Sequence, residues 1–163
     1  MKTLLLALIA ALSTTGQITQ YTVTAKADQH TDFSKLKTYE WEVGWNAPDR
    51  DVHQQCVAAI NRELTALGFA EGAPGHSDVT VAYYSLRRTD MNLNWKSESE
   101  DGPLTYPAGT LVVEMLEPGT RRELFTARAD APIDLQPDRL RAIIDEKVAR
   151  MFALYPTHAK RRR

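Results

Sequence analysis

The stretch GTLVVEMLEPGTRRELFTARAD, residues 109–130, carries the strongest local fold signal in the chain. Along the first half of this stretch, successive side chains fall alternately on one face and the other. This period of two is typical of a half-buried strand. Pro118 and Gly119 favour a type II turn over Glu117–Thr120, because proline fixes φ and glycine accepts a positive φ. The sequence therefore predicts an antiparallel hairpin whose return strand begins near Arg122. The rest of the chain is expected to cover the apolar face of this hairpin.

Length and composition limit the kind of protein. The chain has 163 residues, of which 43% are hydrophobic and 25% are charged, which is enough for one well-buried core and predicts a single domain. The formal net charge of −1 gives no electrostatic basis for binding nucleic acid, so we expect no such partner. Cys56 is the only cysteine, so no disulfide forms within the chain.

The N-terminal residues have the pattern of a targeting segment. Lys2 is followed by the apolar run Leu4–Leu12 and then by small residues, as in a secretory signal peptide. Nine residues are too few to span a bilayer, which takes about 20. We predict a cleaved signal peptide over 1–16, a single α/β domain over 17–156 and a basic tail over 157–163. An uncleaved N-terminal anchor is the alternative.

Hydrophobic periodicity predicts the remaining elements and the fold class. Further strands are expected over 20–26, 38–45 and 78–87, and helices over 51–67 and 138–155. The resulting order is ββαβββα, which predicts an α+β fold, a two-layer α/β sandwich. Both long helices are expected on one face of a mostly antiparallel sheet, with a parallel pair allowed where the first helix crosses over.

An aromatic stripe runs along the second predicted strand. Tyr39, Trp41, Val43 and Trp45 alternate with polar residues and would share one side of the strand. We predict that this stripe belongs to the core, because the burial of each large side chain is worth about 1.5–3 kcal/mol. A ligand-binding platform is the alternative interpretation.

The segment Arg88–Ala108 lacks convincing periodicity and is predicted to be a long loop. Loops of more than about 12–15 residues are uncommon in compact domains and are often functional or disordered. A candidate contact surface on this loop combines polar and aromatic side chains: Asn92, Asn94, Trp95 and Tyr106. A variable, solvated loop with one or two residues in the core is the interpretation that we favour over a contact surface. Met91, Leu93 and Trp95 also alternate, so a further short edge strand is another alternative.

The C-terminus is a compact cationic tail. It contains Lys160, Arg161, Arg162 and Arg163, whereas the remainder of the predicted mature chain carries 15 basic and 21 acidic residues. Such an asymmetry favours peripheral contact with an anionic membrane surface or an acidic partner, at about 1 kcal/mol for each basic residue near an anionic bilayer. A disordered, solubilising end is the alternative.

Motifs for catalysis or cofactor binding are absent from the sequence. It contains no G-x-S-x-G elbow, no H-E-x-x-H, no phosphate-binding glycine loop and no paired-cysteine metal motif. His53 and Cys56 have a spacing that suits one metal ion, but Cys56 falls in the apolar stripe of its helix, so we predict a buried thiol. Asp78, Glu114 and Asp130 are strand-end carboxylates that we expect to be solvated or capping. No catalytic, metal or cofactor site is predicted.

Several motifs together resemble one known family. They are DFSKLKTYEW at 32–41, LGF at 67–69, DVTVAYY at 78–84, GTLVVEML at 109–116 and YP at 155–156. The sequence resembles a bacterial cell-envelope family known only as domain of unknown function 4136. This resemblance implies an exported, often lipid-anchored protein with an α/β fold and no established activity. Phe125 stands where such proteins often have tryptophan, and residues 12–17 lack the cysteine of a lipobox.

Taken together, the sequence predicts a non-catalytic module exported to the periplasm and not lipid-anchored. Its expected partner is an unidentified envelope protein or cell-wall component. One alternative is a periplasmic small-ligand-binding domain, with a pocket between sheet and helices lined by residues such as Trp41, Trp45 or Tyr84. A second alternative is a small hydrolase whose motif escapes detection.

Overall fold

The computed structural model describes residues 21–91 and 105–157. Strands and helices alternate there in an α+β arrangement. In chain order the elements are β1 (Val23–Ala27), β2 (Thr38–Trp41), α1 (Arg50–Ala66), β3 (Ala70–Glu71), β4 (Val79–Met91), β5 (Thr105–Leu116), β6 (Glu123–Pro132) and α2 (Pro137–Phe152). The predicted fold class is confirmed, with one short strand, β3, that the sequence pattern did not reveal.

The strands form one six-stranded mixed sheet in the order β1-β6-β5-β4-β2-β3. The β5–β6 hairpin is antiparallel, as predicted, and β1 and β4 flank it with antiparallel pairing. β2 runs parallel to β4, because the chain crosses over through α1 between them. The position of β4 between β5 and β2 explains why both faces of its first half are apolar.

Both helices cover the same face of the sheet. Odd-numbered residues of β4, β5 and β6 point to this face, and in the centre of the sheet they are almost fully buried, as at Val81, Val113 and Phe125. From the helices, Ile60 and Val148 are likewise buried in this core. The alternation that predicted the hairpin therefore sets which side chains meet the helices.

Glycine marks two places where the chain changes direction. Gly68 follows α1 with φ at +89°, and the N–H of Phe69 donates to the carbonyl of Leu64, as expected for a helix that ends in a left-handed residue. Gly119 has φ at +79° in the hairpin turn. That turn is wider than the predicted type II turn, because Arg121 N–H donates to the Glu117 carbonyl at 2.9 Å.

The second predicted strand ends earlier than expected. β2 stops at Trp41, and the aromatic stripe leaves the core beyond it: Val43 is 88% exposed and Trp45 is 72% exposed. The core assignment is correct for Tyr39, which is buried, and for the half-buried Trp41, but wrong for the other two residues. Beyond Trp41 the chain makes only isolated contacts with β4 before it turns towards α1, so no layer formed by the described residues covers these side chains.

The predicted loop over 88–108 is largely strand at both ends. β4 continues to Met91 and β5 begins at Thr105, with regular antiparallel pairing between them. Only 92–104 separates the two strands, and that segment lies outside the described residues. Charged and proline residues hide the strand pattern in the sequence, because neither face of β4 and β5 is strictly apolar at this end of the pair.

Candidate functional site

A concave, mainly apolar groove of about 550 Å³ lies on the helix side of the sheet. It is bounded by the segment before α1, the first halves of both helices, the middle of β4 and β5, and the end of β6 with the segment that follows it. The side chains that give it its apolar character are Trp45, Val52, Leu111, Ala129, Ala131, Ile133, Leu135, Leu140, Ile143 and Ile144. Ligand pockets in proteins typically have volumes of about 300–1,000 Å³ and mostly apolar walls.

Small residues on the sheet create the floor of the groove. Ala129 and Ala131 are successive helix-facing residues of β6, and Gly109 of β5 pairs with Ala131. A Cβ atom at Gly109 would lie 3.3 Å from Cγ1 of Ile133, tighter than ordinary contact. Because these three positions carry almost no side-chain volume, the space below the helices stays open at this end of the sheet.

Two exposed apolar side chains stand on the wall of the groove. Trp45 is 72% exposed and Leu135 is 73% exposed. The backbone holds Trp45 in place, since its carbonyl accepts a 2.8 Å hydrogen bond from Ser85 N–H. Gly44 allows this approach, because a Cβ atom there would lie 2.2 Å from the Tyr83 carbonyl oxygen. Exposed indole and leucine beside an apolar floor favour binding of an apolar partner.

A buried hydroxyl fixes the segment that leads from Trp45 into α1. Tyr83 is almost fully buried, and its hydroxyl oxygen accepts a hydrogen bond from Ala47 N–H at 3.1 Å. The same oxygen lies 2.5 Å from Nδ1 of His53, and the two rings stack. Burial raises the pKa of Tyr83, so its hydroxyl stays protonated. These contacts anchor one wall of the groove to the centre of the sheet.

The charged side chains at the groove differ in how closely they are paired within the protein. Asp49 caps α1 by accepting from Asp51 N–H at 2.9 Å, and Asp134 accepts from Gln136 N–H at 2.8 Å. Lys147 has a looser partner, with Nζ 3.6 Å from the neighbouring Glu146 carboxylate. The acidic side chains thus stabilise the local backbone, while the lysine has only a long-distance ion pair.

The two residues whose spacing would suit a metal ion, His53 and Cys56, do not form a metal site. His53 turns towards the Tyr83 hydroxyl, while Cys56 is buried in the core. Burial raises the pKa of the Cys56 thiol to about 11, so it is neutral at physiological pH. Within residues 21–91 and 105–157, no group of three His, Cys, Asp or Glu side chains is arranged to hold a metal ion.

A second polar cluster lies on the opposite face of the sheet. Arg88 donates to both oxygens of Asp90 and, at 2.8 Å, to Asp130, which also accepts from Arg128. These contacts, led by the hydrogen bond from Arg128, hold the pKa of Asp130 well below its usual range. The carboxylates therefore stay ionised and paired with arginine, a state that suits stability better than proton transfer.

Tyr106 joins this cluster rather than a loop. It lies in β5, half-buried, and its hydroxyl oxygen is 2.6 Å from the Tyr21 hydroxyl oxygen, within hydrogen-bond distance. Tyr21 also bonds Asp90 at 3.1 Å, and burial together with these bonds raises the pKa of Tyr21. The assignment of Tyr106 to a loop is wrong, because the strand extends to Thr105. Its hydroxyl is engaged within the protein.

The other predicted surface residues cannot be placed. Asn92, Asn94, Trp95 and the tail residues Lys160, Arg161, Arg162 and Arg163 lie outside the described residues. A contact surface formed by them stays a prediction.

The three strand-end carboxylates do not meet. Asp78 binds the Lys37 and Thr38 amides at 2.8 and 2.9 Å, a capping role as expected. Glu114 is opposite Ala82, and Asp130 is opposite Thr110, so the register separates all three.

Of the residues suggested for a small-ligand pocket, only Trp45 lines the groove. Trp41 is held over α1, where Nε1 donates to Asn61 at 3.1 Å, and Tyr84 points to the opposite face of the sheet. The groove floor escaped the sequence analysis, although alanines at 127, 129 and 131 give a signal. Small residues with a period of two on a buried face indicate space above a sheet.

The fold and groove define a two-layer α+β domain with a concave apolar site on its helix face. The chain belongs to the family described as "Domain of unknown function (DUF4136)", whose family model matches residues 23–157. This confirms the resemblance found in the sequence. No curated protein matches the sequence. In the described residues, neither helix is long and apolar enough to cross a membrane.

Solved structures of other proteins share the fold. A PDZ domain protein from Parabacteroides distasonis is 17% identical with a TM-score of 0.57, and the match covers 84% of this chain but only 36% of that chain. The PelC dodecamer from Paraburkholderia phytofirmans is 11% identical with a TM-score of 0.54, over 82% of this chain and 96% of that one. At such identities the similarity shows the fold alone.

Proposed function

We propose that this protein is a non-catalytic binding module of the cell envelope, and that the groove holds the apolar part of an envelope component. The observation that carries the proposal is the groove itself, with its floor of Gly109, Ala129 and Ala131 and its exposed Trp45 and Leu135. Covering these surfaces would release water from apolar area, at about 25 cal/mol for each Å² removed from solvent.

The polar groups of the domain support binding rather than catalysis. A catalytic site needs polar groups that converge on a vacant position, with pKa values matched to proton transfer. Here the strongest polar cluster, around Arg88 and Asp130, is internally paired and lies on the face away from the groove. Export is supported by Lys2 and the apolar run Leu4–Leu12, which have the pattern of a signal peptide.

A groove-filling substitution tests the proposal. Ala131→Phe places an aromatic ring on the floor of the groove without removing a core side chain. The matched control is Thr24→Phe, an exposed strand residue that is paired with Arg128 and points to the opposite face. Both variants are expected to fold, because Thr24 is exposed and the side chain of Ala131 borders the open groove.

Binding is measured with anilinonaphthalene sulfonate, a fluorescent probe of apolar surface, and by mass spectrometry of lipids that co-purify from cells. We expect saturable probe binding to the folded wild type and the control, and at least tenfold weaker binding to Ala131→Phe. Equal probe binding by all three proteins, with no co-purified envelope component, would refute the assignment of the groove.

A further inference from the structure

The outer edge of β4 is open over its second half. Glu42 N–H donates to the Val81 carbonyl, and Ser85 N–H donates to the Trp45 carbonyl, both at 2.8 Å. After Trp45 the chain turns away into α1. No described residue pairs with the edge of β4 from Leu86 to Met91, although β5 pairs with the other side of this segment throughout.

The pairing already present determines which backbone groups face this edge. N–H and C=O of one strand residue point to the same side, and the side alternates with each residue. Val81 and Ser85 point outward, and the register of β4 with β5 is unbroken to Met91. Arg87, Thr89 and Met91 therefore direct their N–H and C=O groups outward. An open strand edge of this kind is a template for pairing with another strand.

We propose that two copies of this protein pair through this edge, antiparallel and with the two-fold axis at Thr89, to form one continuous sheet. In this register Thr89 lies opposite its own symmetry mate, and Arg87 lies opposite Met91 of the second copy. All three outward-facing residues then form hydrogen-bonded pairs, because the two edges are identical.

Charge selects this register over its neighbours. With the axis at Thr89, Arg88 of each copy lies opposite Asp90 of the other, at non-hydrogen-bonded positions where side chains are closest. Moving the axis to Arg88 places two arginines opposite each other, and moving it to Asp90 places two aspartates opposite each other. Like charges directly opposite are destabilising in a sheet, so only the Thr89 register is complementary.

Both charged side chains already have partners within the chain but remain partly exposed to a second strand. Arg88 and Asp90 keep side-chain exposures of 39% and 17% beside their partners within the chain. In the dimer, each Arg88 lies opposite Asp90 of the other copy. The polar cluster around Arg88 and Asp130 thereby continues across the interface as one row of alternating charges. Leu86 and Met91, which are 51% and 56% exposed, lie on the same edge segment and lose solvent contact when a second strand covers it.

Sedimentation equilibrium of the purified protein, in the form that cells produce, measures the association. A short strand interface belongs to the weak class, so we expect a reversible dimer with a dissociation constant between about 1 µM and 1 mM. Thr89→Pro removes only an outward N–H and leaves the pairing with β5 intact, so we expect at least tenfold weaker association.

A proline at the opposite edge of the sheet is the matched control. Asp28 N–H donates to the Leu124 carbonyl of β6, so Ala25, three residues earlier, directs its N–H away from β6. Ala25→Pro is expected to leave the dissociation constant unchanged. A wild-type protein that stays monomeric up to 1 mM, or a dimer that Thr89→Pro does not weaken, would overturn the proposal.

Cysteine crosslinking tests the register without depending on a proline variant. Opposed residues of a hydrogen-bonded pair have Cα atoms about 5.5 Å apart, within the range of a disulfide. Thr89→Cys is therefore expected to form a covalent dimer under mild oxidation. In Arg87→Cys the two cysteines lie roughly 13 Å apart along the strands and should not crosslink. Equal crosslinking of both variants, or none of Thr89→Cys, would contradict the register.

Discussion

Removal of one buried hydroxyl is expected to destabilise the domain measurably. In Tyr83→Phe the ring remains in the core, but the Ala47 N–H loses its acceptor and His53 loses its partner at Nδ1. Ala47 is only 8% exposed, so water does not readily replace the lost acceptor. A buried donor left unsatisfied costs about 1–3 kcal/mol, whereas the half-buried His53 regains part of its loss from solvent.

The expected decrease in the free energy of unfolding is therefore about 2 kcal/mol. For a domain of this size it corresponds to a decrease of roughly 4–8 °C in melting temperature. Urea denaturation followed by circular dichroism measures the difference, with Tyr84→Phe on the opposite face as the control. That control removes a hydroxyl that bonds Glu114 at a half-buried position, where water replaces part of the loss, so we expect a cost of only about 0.5–1 kcal/mol.

A loss below about 0.5 kcal/mol in Tyr83→Phe would refute the reasoning, because unsatisfied buried donors cost more than this. It would mean that the segment before α1 is held by apolar packing and not by the Tyr83 hydroxyl. An unchanged slope of free energy against urea is required for the comparison, since a changed slope indicates a different unfolded or native state.

Substitutions at three further positions have outcomes that the structure predicts. The pKa of Asp130 is lowered in the fold by its arginine partners, so its stabilisation is present above the unfolded pKa of about 3.9 and is lost as pH falls below it. The stability difference between wild type and Asp130→Asn should therefore shrink between about pH 5 and pH 2 in acid titrations, and a constant difference would contradict this. Gly68→Ala introduces a Cβ atom at φ +89° with no steric neighbour, so backbone strain alone should cost about 1 kcal/mol in urea denaturation. Asp49→Ala removes the cap of α1, a loss of about 1 kcal/mol, whereas Asp49→Ser should retain most of the stability.

The sequence predicts the fold correctly in those segments where one hydrophobic periodicity dominates. The alternation on β5 and the turn residues Pro118 and Gly119 identified the hairpin, and Pro137 marked the start of α2. These signals are local, since each depends on backbone geometry that neighbouring residues determine. The parallel pair was anticipated for a topological reason, because a helix lies between the two strands.

The parts that sequence analysis missed depend on distant residues. Trp45 has the same alternating pattern as Tyr39, and only the turn of the chain towards α1 leaves it exposed. Tyr106 lies in a segment whose strand periodicity is hidden by proline and charged residues, and its contact with Tyr21 crosses 85 positions of sequence. The groove floor likewise combines small residues from two strands with space under the helices, and no window of sequence contains all of them.

The position of β1 also determines the order in which the fold becomes complete. Val23 pairs with Ala129, so among the described strands the first in sequence lies beside the last and pairs with no other. During synthesis from the N-terminus, β1 is made early but has no partner until β6 is available. Contacts so distant in sequence form slowly. A nascent chain of this protein therefore presents β1 unpaired until β6 has been made, a stage at which chaperones have a segment to bind.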